Sequence, residues 1–296
     1  MVNILLSTYN GEKYIFELLN SLLKQKDIDF IITIRDDAST DRTVEIIESF
    51  KDERIRLIKS DINMGACKSF LRLLEIAEDA DYYAYCDQDD IWYQDKLKYS
   101  VKALKKYDKE PTLFISGCDV FSNRKNYNFK RNLDFGNKLK IETTLSYRCP
   151  SACLMVFNKA LKDKIKTKNL DVRMHDFWTL LVAFAVEARI ITSDESLIKY
   201  RIHDANTVGL EKNYLKKIDR LIKSATRNKN ERQRQAICLY ENYSDILSKD
   251  NKRKIEKILN YKDSFKNRLN LMFDKNYSDG VYIKLVFALS VLFGVF

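Results

Sequence analysis

Strand-like and helix-like runs alternate through the first hundred residues, and this alternation restricts the fold more than any other feature of the chain. Residues 2–9 read as a buried strand. Glu12 to Gln25 then carries Ile15, Leu18, Leu19, Leu22 and Leu23 at helical spacing. Phe30 to Asp37, Ile55 to Ser60 and Tyr82 to Cys86 repeat the strand pattern. Helices are expected around Val44 to Phe50, behind the capping residues Ser39 and Asp41, and over Ala66 to Glu78. Strands separated by helices of roughly 10–15 residues imply βαβ units and a parallel, doubly wound α/β sheet. After Tyr107 the pattern is mixed. A strand is expected near Leu113 to Phe121, a polar loop over 122–140, an apolar segment at 152–157, a helix from about His175, and two short strands at 189–192 and 197–202. From about Asn213 onward the chain reads as helical.

Carboxylates collect where these strands end. Asp87, Asp89 and Asp90 follow the strand at 82–86 directly, three acids within four residues. They repel one another unless a cation lies between them, and clustered carboxylate oxygens favour a hard ion such as Mg²⁺ or Mn²⁺. At the carboxyl end of a strand in an α/β sheet, that ion would face the ligand crevice. A solvated acidic turn is the ordinary reading of an isolated D-x-D, but here the acids follow an apolar run and are accompanied by other motifs. Ser7-Thr8-Tyr9-Asn10-Gly11 makes a strand-to-helix turn that is neither a Walker loop nor a dinucleotide fingerprint. Asp36 and Asp37 end the second strand; they are redundant for helix capping and better placed to meet a ligand. Asp176, in Met174-His175-Asp176-Phe177-Trp178, stands at an expected helix start, where the anion is stabilised and ready to act as a base. His203 is the only other histidine and also has an Asp beside it.

Taken in order, Ser7-Thr8-Tyr9-Asn10-Gly11, Asp36-Asp37-Ala38-Ser39-Thr40-Asp41, Asn63-Met64-Gly65, Cys86-Asp87-Gln88-Asp89-Asp90-Ile91-Trp92, His175-Asp176-Phe177-Trp178, and Tyr200-Arg201-Ile202-His203 with Asn206-Thr207-Val208-Gly209 resemble the family 2 glycosyltransferases of GT-A fold. The nearest likeness is to the bacterial rhamnosyltransferase-like branch of surface polysaccharide synthesis. The resemblance spans residues 1–209. It implies a nucleotide-sugar site at Ser7, Tyr9, Asp36, Asp37, Asn63 and Asp87, and an Mg²⁺ or Mn²⁺ site at Asp89, Asp87 and His203. It implies Asp176 as catalytic base of an inverting transfer from a dTDP- or UDP-sugar to a glycan or polyprenyl-diphosphate-linked acceptor. His175 departs from the family pattern, in which Glu is common before the Asp.

The rest of the reading concerns charge and location. The chain of 296 residues has a net charge of +10. Residues 210–296 hold 19 Lys and Arg against 10 Asp and Glu, a net +9, leaving 33 against 32 in the first 209. The expected division is therefore a GT-A catalytic domain at 1–209 and a basic helical region at 210–296. The helix expected at 214–225 is basic and amphipathic, and the last twelve residues, 285–296, are uncharged. Together they suggest attachment to an anionic membrane surface; packing on the catalytic domain or on a second copy is the alternative. Twelve helical residues reach about 18 Å, short of a bilayer's hydrocarbon core of about 30 Å. No signal peptide is evident and the six cysteines lack zinc spacing, so reduced thiols and a cytoplasmic location are expected, peripheral on the membrane's inner face. A basic tail also fits a nucleic-acid-binding protein, or a nucleotide-sugar-binding scaffold without activity. No helix-turn-helix, RNA-recognition or zinc pattern supports the former, and Asp89 and Asp176 argue against the latter.

Overall fold

A computed structural model of the chain describes residues 1–122, 127–131, 139–146, 149–203, 230–278 and 281–296. Nine strands form one sheet among the described residues: β1 Val2–Thr8, β2 Phe30–Asp36, β3 Ile55–Lys59, β4 Tyr82–Cys86, β5 Ile91–Trp92, β6 Thr112–Ser122, β7 Tyr127–Arg131, β8 Met155–Asn158 and β9 Arg189–Arg201. The order is β3-β2-β1-β4-β8-β6-β9-β5, with β7 alongside β6. The first four strands are parallel. Beyond β4 the sheet becomes mixed, because β8 runs antiparallel to both β4 and β6 while β6 and β9 are parallel. Helices α1 Ile15–Leu22, α2 Thr43–Ser49 and α3 Gly65–Ile76 connect the parallel strands. Val2, Ile4, Leu5 and Leu6 of β1 are all fully buried, so both faces of this strand are covered. That accounts for its continuous rather than alternating apolar run.

The remaining described helices are α4 Lys96–Leu104, α5 Ile141–Ser146, α6 Lys159–Lys162, α7 His175–Ala185, α8 Glu231–Tyr243, α9 Lys249–Leu259, α10 Phe265–Met272 and α11 Val281–Leu292. Helix α7 is apolar nearly all round, with Phe177, Trp178, Leu180, Leu181 and Val182 buried. A helix of that kind must be enclosed on several sides. Part of the cover is α8: Trp178 and Tyr243 pack with ring centroids 5.8 Å apart, and the Tyr243 hydroxyl donates to the Lys164 carbonyl (2.6 Å). Ala236, Leu239, Ile255 and Ile258 of α8 and α9 belong to the same buried apolar cluster as the sheet.

Three expectations are corrected here. The region 122–140, expected as a polar loop, contains β7, whose backbone pairs with β6 from Cys118↔Arg131 to Ser122↔Tyr127. Its Asn, Lys and Arg content hid a strand that lies on the outer side of β6. The two short strands expected after α7 are one strand, β9, in which register shifts against β6 interrupt the apolar pattern between Ile115 and Asp119. The region expected to read as helical from about Asn213 is broken after α9, because Ser264 caps a new helix, α10, by accepting from the Asn267 N–H (3.1 Å). The basic helix expected at 214–225 lies outside the described residues, as do 206–209. All six cysteines are free thiols.

Candidate active site

The carboxyl ends of β1, β2 and β4 lie side by side, since Thr8 stands opposite Asp36 and Leu6 opposite Cys86. The turns leaving these strands are tied into one crevice wall. Asp36 is buried; its Oδ1 accepts from the Thr8 and Ser39 hydroxyls (3.2 and 2.6 Å) and its Oδ2 from the Ser39 N–H (2.8 Å). Asp37 is also buried, forms an ion pair with Arg35, and accepts from the backbone N–H groups of Met64 and Gly65 (3.1 and 2.8 Å). The expectation that both acids are redundant for capping is therefore corrected. Asp36 closes its own turn, and Asp37 caps α3, a helix that sequence spacing does not connect with it. Gly65 begins α3 at φ 79°, a conformation suited to glycine. Asn63 is exposed beside it and accepts from the Gly65 N–H (2.9 Å). The Ser7 hydroxyl donates to Ser69 (2.7 Å), which also receives Arg35 (2.9 Å). The Tyr9 ring is open to solvent, at 45% exposure.

Gln88, within the acidic motif, fixes this wall to the next. The Tyr9 N–H donates to Gln88 Oε1 (2.9 Å) and Gln88 Nε2 donates to the Tyr9 carbonyl (3.1 Å). A Cβ on Gly11 would stand 2.6 Å from that Oε1, so glycine is what admits the side chain.

Asp87, Asp89 and Asp90 differ in surroundings. Asp90 is buried; its Oδ1 accepts from the Arg201 N–H (3.0 Å), while its Oδ2 has no hydrogen-bond partner. Burial, then the charges of Asp89 and Asp87, raise its pKa well above the carboxylate range. Asp87 is half-buried, and burial followed by the charges of Asp89 and Asp176 raises its pKa too. Asp89 is half-buried and its Oδ2 lies 2.7 Å from His203 Nε2. Arg201 clasps the turn by donating to the Asp89 carbonyl (2.8 Å), and its guanidinium also pairs with Glu17 and lies over the Tyr14 ring. The His203 ring stacks on Tyr14 as well, with centroids 4.9 Å apart.

A divalent ion fits this donor set. Asp87, Asp90 and Cys153 place ligand-type atoms within 4.8 Å of one another. Burial raises the Cys153 thiol pKa far above neutrality, so it remains S–H and is a poor ligand for a hard cation. Asp87 and Asp90 supply the carboxylate oxygens of that group, the kind Mg²⁺ or Mn²⁺ takes, and a cation there would relieve their mutual repulsion; Asp89 and His203, expected as further ligands, face each other outside it. Beneath them the buried Lys96 ammonium donates to the Cys153 carbonyl (2.7 Å) and lies 4.4 Å from the Trp92 ring centroid. Burial lowers its pKa to about 8.

Asp176 occupies the first turn of α7 and accepts from the Phe177 N–H (2.7 Å). The expected stabilisation of its anion by the helix start is outweighed: burial raises its pKa to about 6, against the opposing backbone hydrogen bonds and Arg173. His175 points the other way. It is fully buried, stacked on Phe70 at a centroid separation of 3.8 Å and edge-on to Tyr85, and neither ring nitrogen has a hydrogen-bond partner. Burial lowers its pKa to about 3, so it is a neutral ring of the core.

The sheet and the acidic turn at its strand ends have the architecture of the GT-A glycosyltransferases. Residues 3–165 match Glycosyl transferase family 2, and the chain belongs to that family. It is 32% identical over 232 residues to the dTDP-rhamnosyl transferase RfbG of Shigella flexneri, covering 73% of this chain and 78% of that one. It is 26% identical over 218 residues to the Escherichia coli UDP-Glc:α-D-GlcNAc-diphosphoundecaprenol β-1,3-glucosyltransferase WfaP, covering 72% and 81%. Among solved structures it resembles S. aureus TarS 1–349 in complex with UDP-GlcNAc, with a TM-score of 0.59 at 19% identity, covering 100% of this chain and 92% of that one. At that identity the likeness speaks for the fold.

Proposed function

We propose that this glycosyltransferase moves a sugar with inversion from a dTDP- or UDP-linked donor to a hydroxyl of a polyprenyl-diphosphate-linked glycan, in surface polysaccharide synthesis. What supports the reading most is the nearness of two carboxylate sets, Asp87 and Asp89 after β4 and Asp176 at the start of α7, whose charge reaches Asp87. The nucleotide occupies the wall built from Ser7, Tyr9, Asp36, Asp37 and Asn63. Tyr9 supplies open ring surface, and the two buried acids hold the turns in shape. Asp87, Asp89 and His203 would hold Mg²⁺ or Mn²⁺, which would neutralise charge on the leaving diphosphate. Asp176 takes the proton of the attacking acceptor hydroxyl, and a pKa near 6 leaves it mostly ionised yet basic at neutral pH. Rhamnose as the sugar and a lipid-linked acceptor are supported by what RfbG and WfaP are named for.

The membrane-side placement rests on α11. Leu285, Leu289, Leu292 and Phe293 lie exposed at successive helical turns, while Phe287 and Val291 face inward. Among the described residues no helix is long and apolar enough to cross a membrane, so attachment is by an exposed apolar stripe and basic surroundings, at the cytoplasmic face. Release of nucleoside diphosphate from a panel of dTDP- and UDP-sugars, with and without a polyprenyl-diphosphate-linked acceptor, tests the reading. Acceptor-stimulated release from one donor is expected. Activity that requires no nucleotide donor would refute it.

A further inference from the structure

Arginines gather beside Asp176 in a place that the transfer chemistry leaves unused. Arg173 stands three residues before the base, and its side chain is 40% exposed. Arg232, in the first turn of α8, lies over the Phe177 ring at 4.9 Å from the centroid, next to the residue that follows the base. Its Nη1 is buried and has no hydrogen-bond partner. Burial and the like charge of Arg173 lower its pKa to about 10. Between the 171–173 segment and α8 opens a cleft of about 240 Å³ lined by Asp171, Val172, Arg173, Glu231, Arg234 and Gln235, with Arg232 outside that lining. Glu231 pairs with Arg173 (3.1 Å) and Asp171 with Arg234 (3.7 Å), so three guanidiniums meet two carboxylates.

A buried guanidinium N–H without an acceptor is costly, and phosphate oxygens match its geometry. The donor's diphosphate is already accounted for at Asp87 and Asp89. An anion on the Asp176 side therefore enters with the acceptor, whose hydroxyl must reach the base. The uncharged end of the chain returns to the same place, because the Asn230 N–H donates to the Val295 carbonyl (3.2 Å) just ahead of α8. We propose that Arg173 and Arg232 form an acceptor subsite that grips the diphosphate of a polyprenyl-linked substrate, its apolar chain leaving toward α11. The proposal rests on the glycosyl-transfer reading and names the group by which that site recognises its acceptor.

Binding of undecaprenyl diphosphate in neutral detergent micelles tests it, using the full chain and the variants Arg173→Gln and Arg232→Gln. Undecaprenol and inorganic pyrophosphate serve as probes for the chain and the anion alone. The intact protein should bind the lipid diphosphate more tightly than either, and each substitution should weaken that binding by about tenfold, the loss expected of a charged hydrogen bond. UDP and dTDP affinities should not change. Arg173→Gln alters a partly exposed side chain and keeps the test open if Arg232→Gln fails to fold. Unchanged lipid affinity in Arg173→Gln, a parallel loss of nucleotide affinity, or pyrophosphate binding as tight as the lipid would each overturn the proposal. Nucleoside-diphosphate release by the same intact protein is measured alongside. Its absence would mark failure of the glycosyl-transfer reading, whereas release together with arginine-insensitive lipid binding would mark failure of the subsite alone.

Discussion

Asp176 is held where burial and function conflict. Its pKa is raised to about 6, so between pH 4 and 6 the folded chain binds a proton that the unfolded chain has released. Stability at this residue is therefore lost as pH rises through that window. Asp176→Asn should raise the melting temperature at pH 7, with a gain of about 1–3 kcal/mol, while turnover falls by about 10²-fold or more. A melt and a rate measurement on one preparation check both; a destabilised or fully active variant would contradict the assignment. For the intact enzyme, kcat should rise with pH along a limb centred near 6, because only the ionised carboxylate accepts the hydroxyl proton. The acids of the site were legible in sequence as strand-end clusters, and so was the base as an Asp at a helix start. What was not legible is how each is used. Nothing in the sequence shows that Asp37 caps α3 across 28 residues, or that Gln88 rather than an acid fastens the Tyr9 backbone. Arg201 could be found only as part of the Tyr-Arg-Ile-His run, because its partners Glu17, Asp89 and Asp90 lie more than a hundred residues away in sequence.

The elements show why local patterns sufficed for half the sheet. Strands β1 to β4 are consecutive in sequence and linked by amphipathic helices, so periodicity alone identifies them, though not their order β3-β2-β1-β4 in the sheet. Apart from the neighbours β6 and β7, the later strands pair through segments distant in sequence, β8 with β4 and β6, and β9 with β6, with register shifts near Gly117 that no period-two count detects. Gly117 itself is packed against backbone, since a Cβ there would lie 2.9 Å from the Asp194 carbonyl oxygen. Gly117→Ala should therefore destabilise the chain by about 1–3 kcal/mol through displaced backbone, read as a lower denaturation midpoint. Gly11→Ala acts on a flexible neighbour instead. It should displace Gln88 and weaken nucleotide binding with little effect on stability, measured by titration with UDP and by melting. Equal nucleotide affinity in that variant would show that the Gln88 link does not shape the site.

Across the whole molecule, the expected boundary at residue 209 marks a change in composition more clearly than a change in packing. Helices α8 and α9 bury Ala236, Leu239, Ile255 and Ile258 in the cluster that continues into the sheet, and Tyr243 packs against Trp178. Removing everything after Gly209 should therefore expose the flank of α7 and lower stability, so a tail function is better tested by surface substitutions. Leu285→Asp with Leu289→Asp places charge on the exposed stripe of α11 and should abolish sedimentation with anionic vesicles at low salt, leaving nucleotide binding intact. If the intact protein ignores such vesicles, the stripe serves another contact.

Transfer requires that the carboxylates after β4 act with a divalent ion on a nucleoside diphosphate. Calorimetric titration of UDP and dTDP, in Mn²⁺ and in chelator, for the intact chain and for Asp89→Ala, examines this most directly. Tight binding of one nucleotide only with Mn²⁺, lost in Asp89→Ala, is the predicted result. Binding that is indifferent to the metal, or undiminished in Asp89→Ala, would contradict it.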